Sequence, residues 1–94
     1  MPIRSFRHKG LREFYEDDRL RGIRADQAKR LRRVLTALDT AATIDDMKLM
    51  PGWRLHPLTG DRAGFWSISI TGNWRLIFRF DAGDAFDLDL VDYH

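Results

Sequence analysis

After Pro51 the spacing of the apolar residues changes from a helical period to strict alternation, and this change constrains the fold more than any other feature. Within each predicted strand the apolar residues occupy every second position: Trp66, Ile68, Ile70, Trp74, Leu76, Phe78, Phe80, Phe86, Leu88 and Leu90. Successive side chains of a strand point to opposite faces, so these residues are expected on one face of a sheet. Turn-forming residues separate the strands at 60–64, 71–73 and 81–84. The sequence therefore predicts antiparallel hairpins with one buried face and one open face.

The part of the chain before Pro51 has a helical pattern. Ala28, Leu31, Leu35 and Leu38 recur at intervals of 3, 4 and 3, as in an amphipathic helix. A shorter helix is predicted near residues 9–15, after an extended opening at residues 3–6, and residues 40–48 are expected to connect the helices to the sheet. The predicted fold class is α+β in two layers, with the order β-α-α-β-β-β-β. Two N-terminal helices cover the apolar face of an antiparallel sheet.

Length and composition limit the number of domains and the class of protein. A chain of 94 residues with 44% hydrophobic content can build one core, so residues 1–94 are expected to form a single domain. The absence of cysteine excludes disulfides and thiolate zinc sites, and fits a reducing compartment. No run approaches the ~20 apolar residues of a membrane span. We expect no membrane association and a cytoplasmic location.

Positive charge is concentrated in one segment, although the net charge is only +2. Between Arg19 and Arg33 there are seven cations and one acid, Asp26. Four of these cations lie on the predicted long helix: Lys29, Arg30, Arg32 and Arg33. This density is typical of a surface that contacts a phosphate backbone. A solvated helix face explains the same charges equally well, and both interpretations stay open.

The open face of the sheet is predicted to collect titratable and cationic side chains. The parity opposite to the apolar set includes Arg54, His56, Ser67, Ser69, Asn73, Arg75, Arg79, Asp87, Asp89 and Tyr93. Imidazole ordinarily titrates near pH 6.5 and transfers protons close to neutrality, while guanidinium binds two phosphate oxygens at once. A sheet face that carries both groups can transfer protons and bind an anionic ligand. This face is therefore predicted to carry out chemistry on an anion.

Four sequence blocks carry a resemblance to a known family. They are Gly-Trp-Arg-Leu-His-Pro-Leu-Thr-Gly at 52–60, Gly-Phe-Trp-Ser-Ile-Ser-Ile at 64–70, Gly-Asn-Trp-Arg-Leu-Ile-Phe-Arg-Phe at 72–80 and Asp-Leu-Val-Asp-Tyr-His at 89–94. In this order and spacing they resemble the HigB-type toxins of the RelE/ParE superfamily. The resemblance implies a ribosome-dependent mRNA endoribonuclease that uses no metal or other cofactor and acts in the decoding site of the 30S subunit of the 70S ribosome. It also implies a HigA-type antitoxin with a helix-turn-helix domain as a protein partner.

The resemblance also suggests roles for individual residues. The catalytic candidates are His56, Arg75, Asp92, Tyr93 and His94. The RNA-binding candidates are Asn73, which resembles a substrate-contacting residue of the family, together with the cations Arg54, Arg62, Lys29, Arg30, Arg32 and Arg33. Many family members have Lys where this chain has Thr59, and Arg62 could supply the missing charge if its loop folds inward. Whether His56 or His94 takes the 2′-hydroxyl proton is left open.

Three other functions are alternatives to the nuclease. Asp84, Asp87 and Asp89 could suggest a hard-metal site, but no His-x-x-x-His or Cys pair accompanies them. Some toxins of this superfamily trap DNA gyrase without ribonuclease chemistry, and their sheets lack the His and the terminal Asp-Tyr-His. A non-catalytic nucleic-acid-binding module, acting only through the basic segment, is the remaining alternative.

Overall fold

The computed structural model describes residues 1–93, which form helices followed by a four-stranded sheet. The elements are α1 (Lys9–Asp17), α2 (Ala25–Thr40), α3 (Ile44–Lys48), β1 (His56–Pro57), β2 (Phe65–Ser69), β3 (Trp74–Asp81) and β4 (Asp84–Asp92). The strands lie in the order β1-β2-β3-β4, and each neighbouring pair is antiparallel. The predicted α+β class, antiparallel sheet and helical layer are confirmed.

The core lies between the helices and the apolar face of the sheet. Leu31, Val34, Leu35 and Leu38 of α2 belong to one buried cluster with strand residues such as Ile68, Leu76, Phe78 and Leu88. Burying each large aliphatic side chain contributes about 1.5–3 kcal/mol, so this interface fixes α2 on the sheet. Trp66 and Trp74 are partly buried against the same cluster, as expected for residues at the edge of a core.

The start of α1 touches the loop that leads into α2. His8 caps α1 because its Nδ1 accepts a hydrogen bond from the Leu11 amide at 2.9 Å. One residue into the helix, Gly10 lies directly against Gly22. A Cβ added at Gly22 would stand 2.7 Å from the Gly10 Cα, closer than any ordinary contact. Two glycines therefore allow two backbones to pass at this point.

Two features differ from the predicted order of elements. The stretch expected to connect helix and sheet contains α3, whose start is stabilised because the Asp46 carboxylate accepts from the amides of Ala42 at 2.8 Å and Thr43 at 3.3 Å. The extended opening pairs with β4 only through isolated parallel bridges, Ile3 to Ala85 and Phe6 to Leu88. It lies beside the sheet without forming a regular strand.

The placement of Phe86 on the helix-facing side was wrong. The register of β3 and β4 shifts between Ile77 and Arg79, and Asp87 has a φ of +55°. The extra residue in β4 is a β-bulge, which reverses the facing of residues before it. Phe86 therefore pairs with Arg79, which also pairs with Phe65. At this end of the sheet the far face carries Phe65 and Phe86 on either side of Arg79.

No helix within residues 1–93 combines the length and the apolar content that crossing a bilayer requires.

Candidate active site

His56 lies on β1, on the sheet face that points away from the helices. Its Nδ1 is 2.8 Å from the carbonyl oxygen of Arg54. A carbonyl can only accept, so Nδ1 carries the proton and donates, and Nε2 of the neutral ring is left as an acceptor. Arg54 has a φ of +51°, in the left-handed region that a non-glycine residue seldom adopts. The residue with this unusual backbone therefore supplies the carbonyl that orients the imidazole.

Arg75 and Tyr93 meet at the ends of β3 and β4. The Nη1 of Arg75 donates to the carbonyl oxygens of Gly72 at 2.8 Å and Trp74 at 3.0 Å, which directs the guanidinium across the end of the hairpin. The Tyr93 amide donates to the Asn73 carbonyl at 2.8 Å and so fixes the position of the chain end. The Arg75 Cζ then lies 5.9 Å from the centre of the Tyr93 ring.

Arg62 reaches the same tyrosine from the loop after β1. A single 3₁₀ turn, Gly60–Arg62, folds this loop inward over the sheet. The Arg62 Cζ lies 5.2 Å from the centre of the Tyr93 ring. Residues of the loop and Tyr93 line a cleft of about 510 Å³, with Thr59 in its wall. Two guanidinium groups therefore flank one phenol beside an open cleft.

The register of the sheet gives the position of His56 relative to Arg75. His56 pairs with Ser67, which pairs with Ile77, and Arg75 lies two residues from Ile77 along β3. Residues in register share a face, and so do residues two apart. Strand spacing and rise place the Cα atoms of His56 and Arg75 about 12 Å apart. His56 and Arg75 therefore lie on one face, two strands apart, with the Arg75 guanidinium held toward the hairpin.

Comparisons with known proteins identify the family of this chain. Residues 4–94 match the model of a family described as the RelE-like toxin of the type II toxin–antitoxin system HigB. The chain belongs to the HigB toxin family. It is 44% identical over 92 residues to an endoribonuclease HigB of Proteus vulgaris, covering 98% of this chain and 99% of that protein. It is 39% identical over 83 residues to toxin HigB-1 of Vibrio cholerae, covering 87% of each chain.

Two solved structures share the fold of this HigB-family toxin at low sequence identity. A YoeB/ParE toxin from Agrobacterium tumefaciens has a TM-score of 0.57 and 17% identity, with 100% of this chain and 99% of that chain covered. A YoeB dimer from Staphylococcus aureus has a TM-score of 0.59 and 18% identity, with 100% and 97% covered. The predicted RelE-like fold is confirmed. As a type II toxin, the chain has an antitoxin as its partner.

The remaining catalytic candidates of this HigB-family toxin are placed differently from Tyr93. Asp92 pairs with Trp74, whose side chain packs against the core, so the pleat places Asp92 on the opposite face from Tyr93. Asn73 is exposed at the hairpin. His94 lies outside the described residues. The structure therefore brings Arg62, Arg75 and Tyr93 together on the face that carries His56.

The basic residues of α2 divide into two pairs. Arg30 donates to the carbonyls of Ser69 at 3.1 Å and Gly52 at 2.8 Å, and so ties α2 to the sheet. Arg32 forms an ion pair with Asp18, and its Cζ lies 4.8 Å from the centre of the Phe14 ring. The other two, Lys29 and Arg33, are exposed, and within residues 1–93 neither has a hydrogen bond or ion pair. Charge density in the sequence could not distinguish these pairs.

Ser67 lies beside His56 in the sheet, and sequence patterns assign it no role. It is fully buried in register with His56, and within the described chain its Oγ has no hydrogen-bond partner. Strand alternation places Ser67 on this face, but no sequence pattern indicates that its hydroxyl is buried and unpaired.

A further cavity, of about 870 Å³, lies on the outer side of α2, between Ala28 and Met50. Among residues 1–93 no group of three or more His, Cys, Asp or Glu is placed to hold a metal ion.

Proposed function

We propose that this toxin, a single domain over residues 1–94, is an endoribonuclease that cleaves mRNA in the ribosomal A site and so inhibits translation in the cytoplasm. Family membership supports the endoribonuclease class, since the Proteus vulgaris relative bears that name. The observation that carries the mechanism is the pair of guanidinium groups beside Tyr93, on the face that carries His56. These groups suit cleavage by the substrate's own 2′-hydroxyl.

His56 acts as the general base in this mechanism. Its Nδ1 proton is held by the Arg54 carbonyl, so Nε2 is available to take the proton of the 2′-hydroxyl. The 2′-oxygen then attacks the adjacent phosphorus, a 2′,3′-cyclic phosphate forms and the bond to the 5′-oxygen breaks. The Tyr93 hydroxyl or His94 returns a proton to that leaving oxygen. A positioned group of this kind contributes ~10²–10⁴-fold.

Arg62 and Arg75 stabilise the charge that develops on the phosphate. Both guanidinium groups border the Tyr93 ring, and neither has a carboxylate partner within residues 1–93. Arg62 thereby takes the place of the cation that Thr59 cannot provide. Asp92 has a positioning role in the terminal motif, because it lies on the face opposite to Tyr93.

Substrate binding uses the cations that the fold leaves unpaired. Lys29 and Arg33 on α2 contact phosphates of ribosomal RNA or mRNA, and Arg54 and Asn73 contact the substrate strand. Arg30 and Arg32 support that surface through their contacts with the sheet and with α1. The antitoxin is of the HigA type, with a helix-turn-helix domain.

The test is cleavage of a defined mRNA on programmed ribosomes, with the wild type, His56→Gln, Tyr93→Phe and a variant that lacks residues 93–94. Arg12→Gln serves as the control, because Arg12 is an exposed α1 cation away from the sheet face. With the wild type and with the Arg12→Gln control we expect cuts within the A-site codon. With His56→Gln and with the truncated variant we expect these cuts to be lost. Normal cutting by folded His56→Gln would contradict the assignment of the base. If the wild type cleaves no RNA and instead traps DNA gyrase, the proposed endoribonuclease function is wrong.

A further inference from the structure

A second cleft adjoins the proposed cleavage site and is lined by three arginines. Arg30, Arg54 and Arg75 surround a cavity of about 310 Å³, together with Ser69 and Thr71. Arg75 also borders Tyr93, so one guanidinium separates this cavity from the cleavage cleft.

The charge in this cavity is not neutralised by the protein. Carboxylates pair with seven other arginines of the described chain: Arg4, Arg7, Arg12, Arg21, Arg24, Arg32 and Arg79. Within residues 1–93 none of the three arginines around the cavity has such a partner. Arg30 and Arg75 are held by backbone carbonyls, which direct the guanidinium groups without cancelling their charge. Like charges gathered in one concavity repel each other unless an anion joins them.

Other donors complete the site. The Gln27 side-chain amide, itself buried, donates to the Thr71 Oγ1 at 3.0 Å. Because that oxygen already accepts a proton, the Thr71 hydroxyl hydrogen is free to be donated elsewhere. Arg54 also has a left-handed backbone, φ +51°, a strained conformation that is found more often at ligand-binding sites than elsewhere.

We propose that this three-arginine cavity binds the phosphate next to the scissile one and so fixes the register of the RNA strand. The inference rests on the proposed function and adds a second phosphate subsite to it. Guanidinium groups bind phosphate oxygens in pairs, which suits the tetrahedral ligand. Arg75 touches both phosphates, one from each side, while Arg54 touches only the neighbouring one.

The first test follows binding of inorganic phosphate through the Nε–Hε NMR signals of the arginines. We expect the signals of Arg30, Arg54 and Arg75 to shift together, and Arg54→Gly to raise the apparent Kd about tenfold, the scale of one charged hydrogen bond. Glycine suits the left-handed backbone and keeps the carbonyl that orients His56, so this variant should fold. Arg54→Lys tests the charge alone, and Arg12→Gln is the matched control.

The second test places one neutral methylphosphonate in the mRNA of the ribosome assay. At the linkage next to the cleaved one, we expect KM to rise about tenfold for the wild type and to change little for Arg54→Gly, which has already lost the contact. A methylphosphonate several nucleotides away should have no effect on either protein.

The outcomes separate this inference from the proposed function. Normal cleavage that is insensitive to the neighbouring methylphosphonate would overturn the subsite and leave the nuclease intact. Phosphate binding in the cavity without any ribosomal cleavage would keep the anion site and remove the nuclease. If phosphate leaves the three signals unmoved and the antitoxin shifts them, the cavity holds an antitoxin carboxylate and the phosphate subsite is wrong.

Discussion

Replacing Arg62 with glutamine should slow RNA cleavage, because it removes one of the two guanidinium groups beside Tyr93. A unit charge about 5 Å from the phosphate is worth about 0.8 kcal/mol at the dielectric constant of water and about 3.3 kcal/mol at an effective value near 20. These two energies correspond to a cleavage rate that is lower by about 4-fold and about 250-fold, respectively. Arg62 is exposed on a loop but lines a cleft that RNA would cover, so we expect a loss of about 10–100-fold in kcat.

The assay is single-turnover cleavage on programmed ribosomes with four proteins: wild type, Arg62→Gln, Thr59→Lys and the double variant. Thr59 lines the same cleft, so a lysine there should restore at least part of the charge lost with Arg62. The single variant Thr59→Lys should also cleave faster than the wild type. If Arg62→Gln stays within twofold of the wild type, or if the double variant is no better than Arg62→Gln, the charge of this loop does not stabilise the transition state.

Three further predictions concern stability and ribosome binding. Ser67→Ala should stabilise the fold by about 1–2 kcal/mol in urea unfolding, because it removes a buried hydroxyl that has no partner in the described chain, and a loss of stability would contradict this. Gly22→Ala should cost about 1–3 kcal/mol, since its Cβ would stand 2.7 Å from the Gly10 Cα, and an unchanged denaturation midpoint would show that the contact relaxes freely. Neutralising Lys29 and Arg33 should weaken ribosome association and reduce the slope of log affinity against log salt by about 1.4, and an unchanged slope would exclude phosphate contacts there.

Strand alternation was sufficient to predict which side chains share the reactive face. His56, Arg75 and Tyr93 were placed on one face by parity alone, and the sheet register agrees with that placement. The period of two follows from the geometry of the extended chain and does not depend on how loops run. The same rule placed Asp92 with the helix-facing parity, opposite to Tyr93.

The same rule failed where the backbone departs from regular geometry. Phe86 was assigned to the wrong face because Asp87 adopts a φ of +55° and adds a bulge, which the apolar pattern does not show. The helix Ile44–Lys48 was missed because five residues are too few to display a helical period. Its start depends on Asp46 accepting from two amides, a signal that is weak in sequence.

The parts of the site that come from loops could be proposed from the sequence but not placed. Whether Arg62 reaches Tyr93 depends on the path of residues 58–64, and whether His56 exposes Nε2 depends on the left-handed turn at Arg54. Both are set by backbone angles that no apolar period specifies. The residue types indicated the chemistry, and the loops decide which groups can perform it.

Pairing of charges, more than their number, determines where an anion can bind to this protein. With a net charge of only +2, long-range attraction to RNA is weak unless some cations lack partners. On α2, Asp18 neutralises Arg32, whereas Arg30 is held by carbonyl oxygens that leave its charge uncancelled. The unpaired cations run from Arg62 past Arg75 and Arg54 to α2, where adjoining cavities share Arg30. In the proposed complex, an RNA strand that follows this line meets positive charge at each step and passes Tyr93, which Arg62 and Arg75 flank. We infer that the unpaired cations, more than the net charge, set the path of the strand.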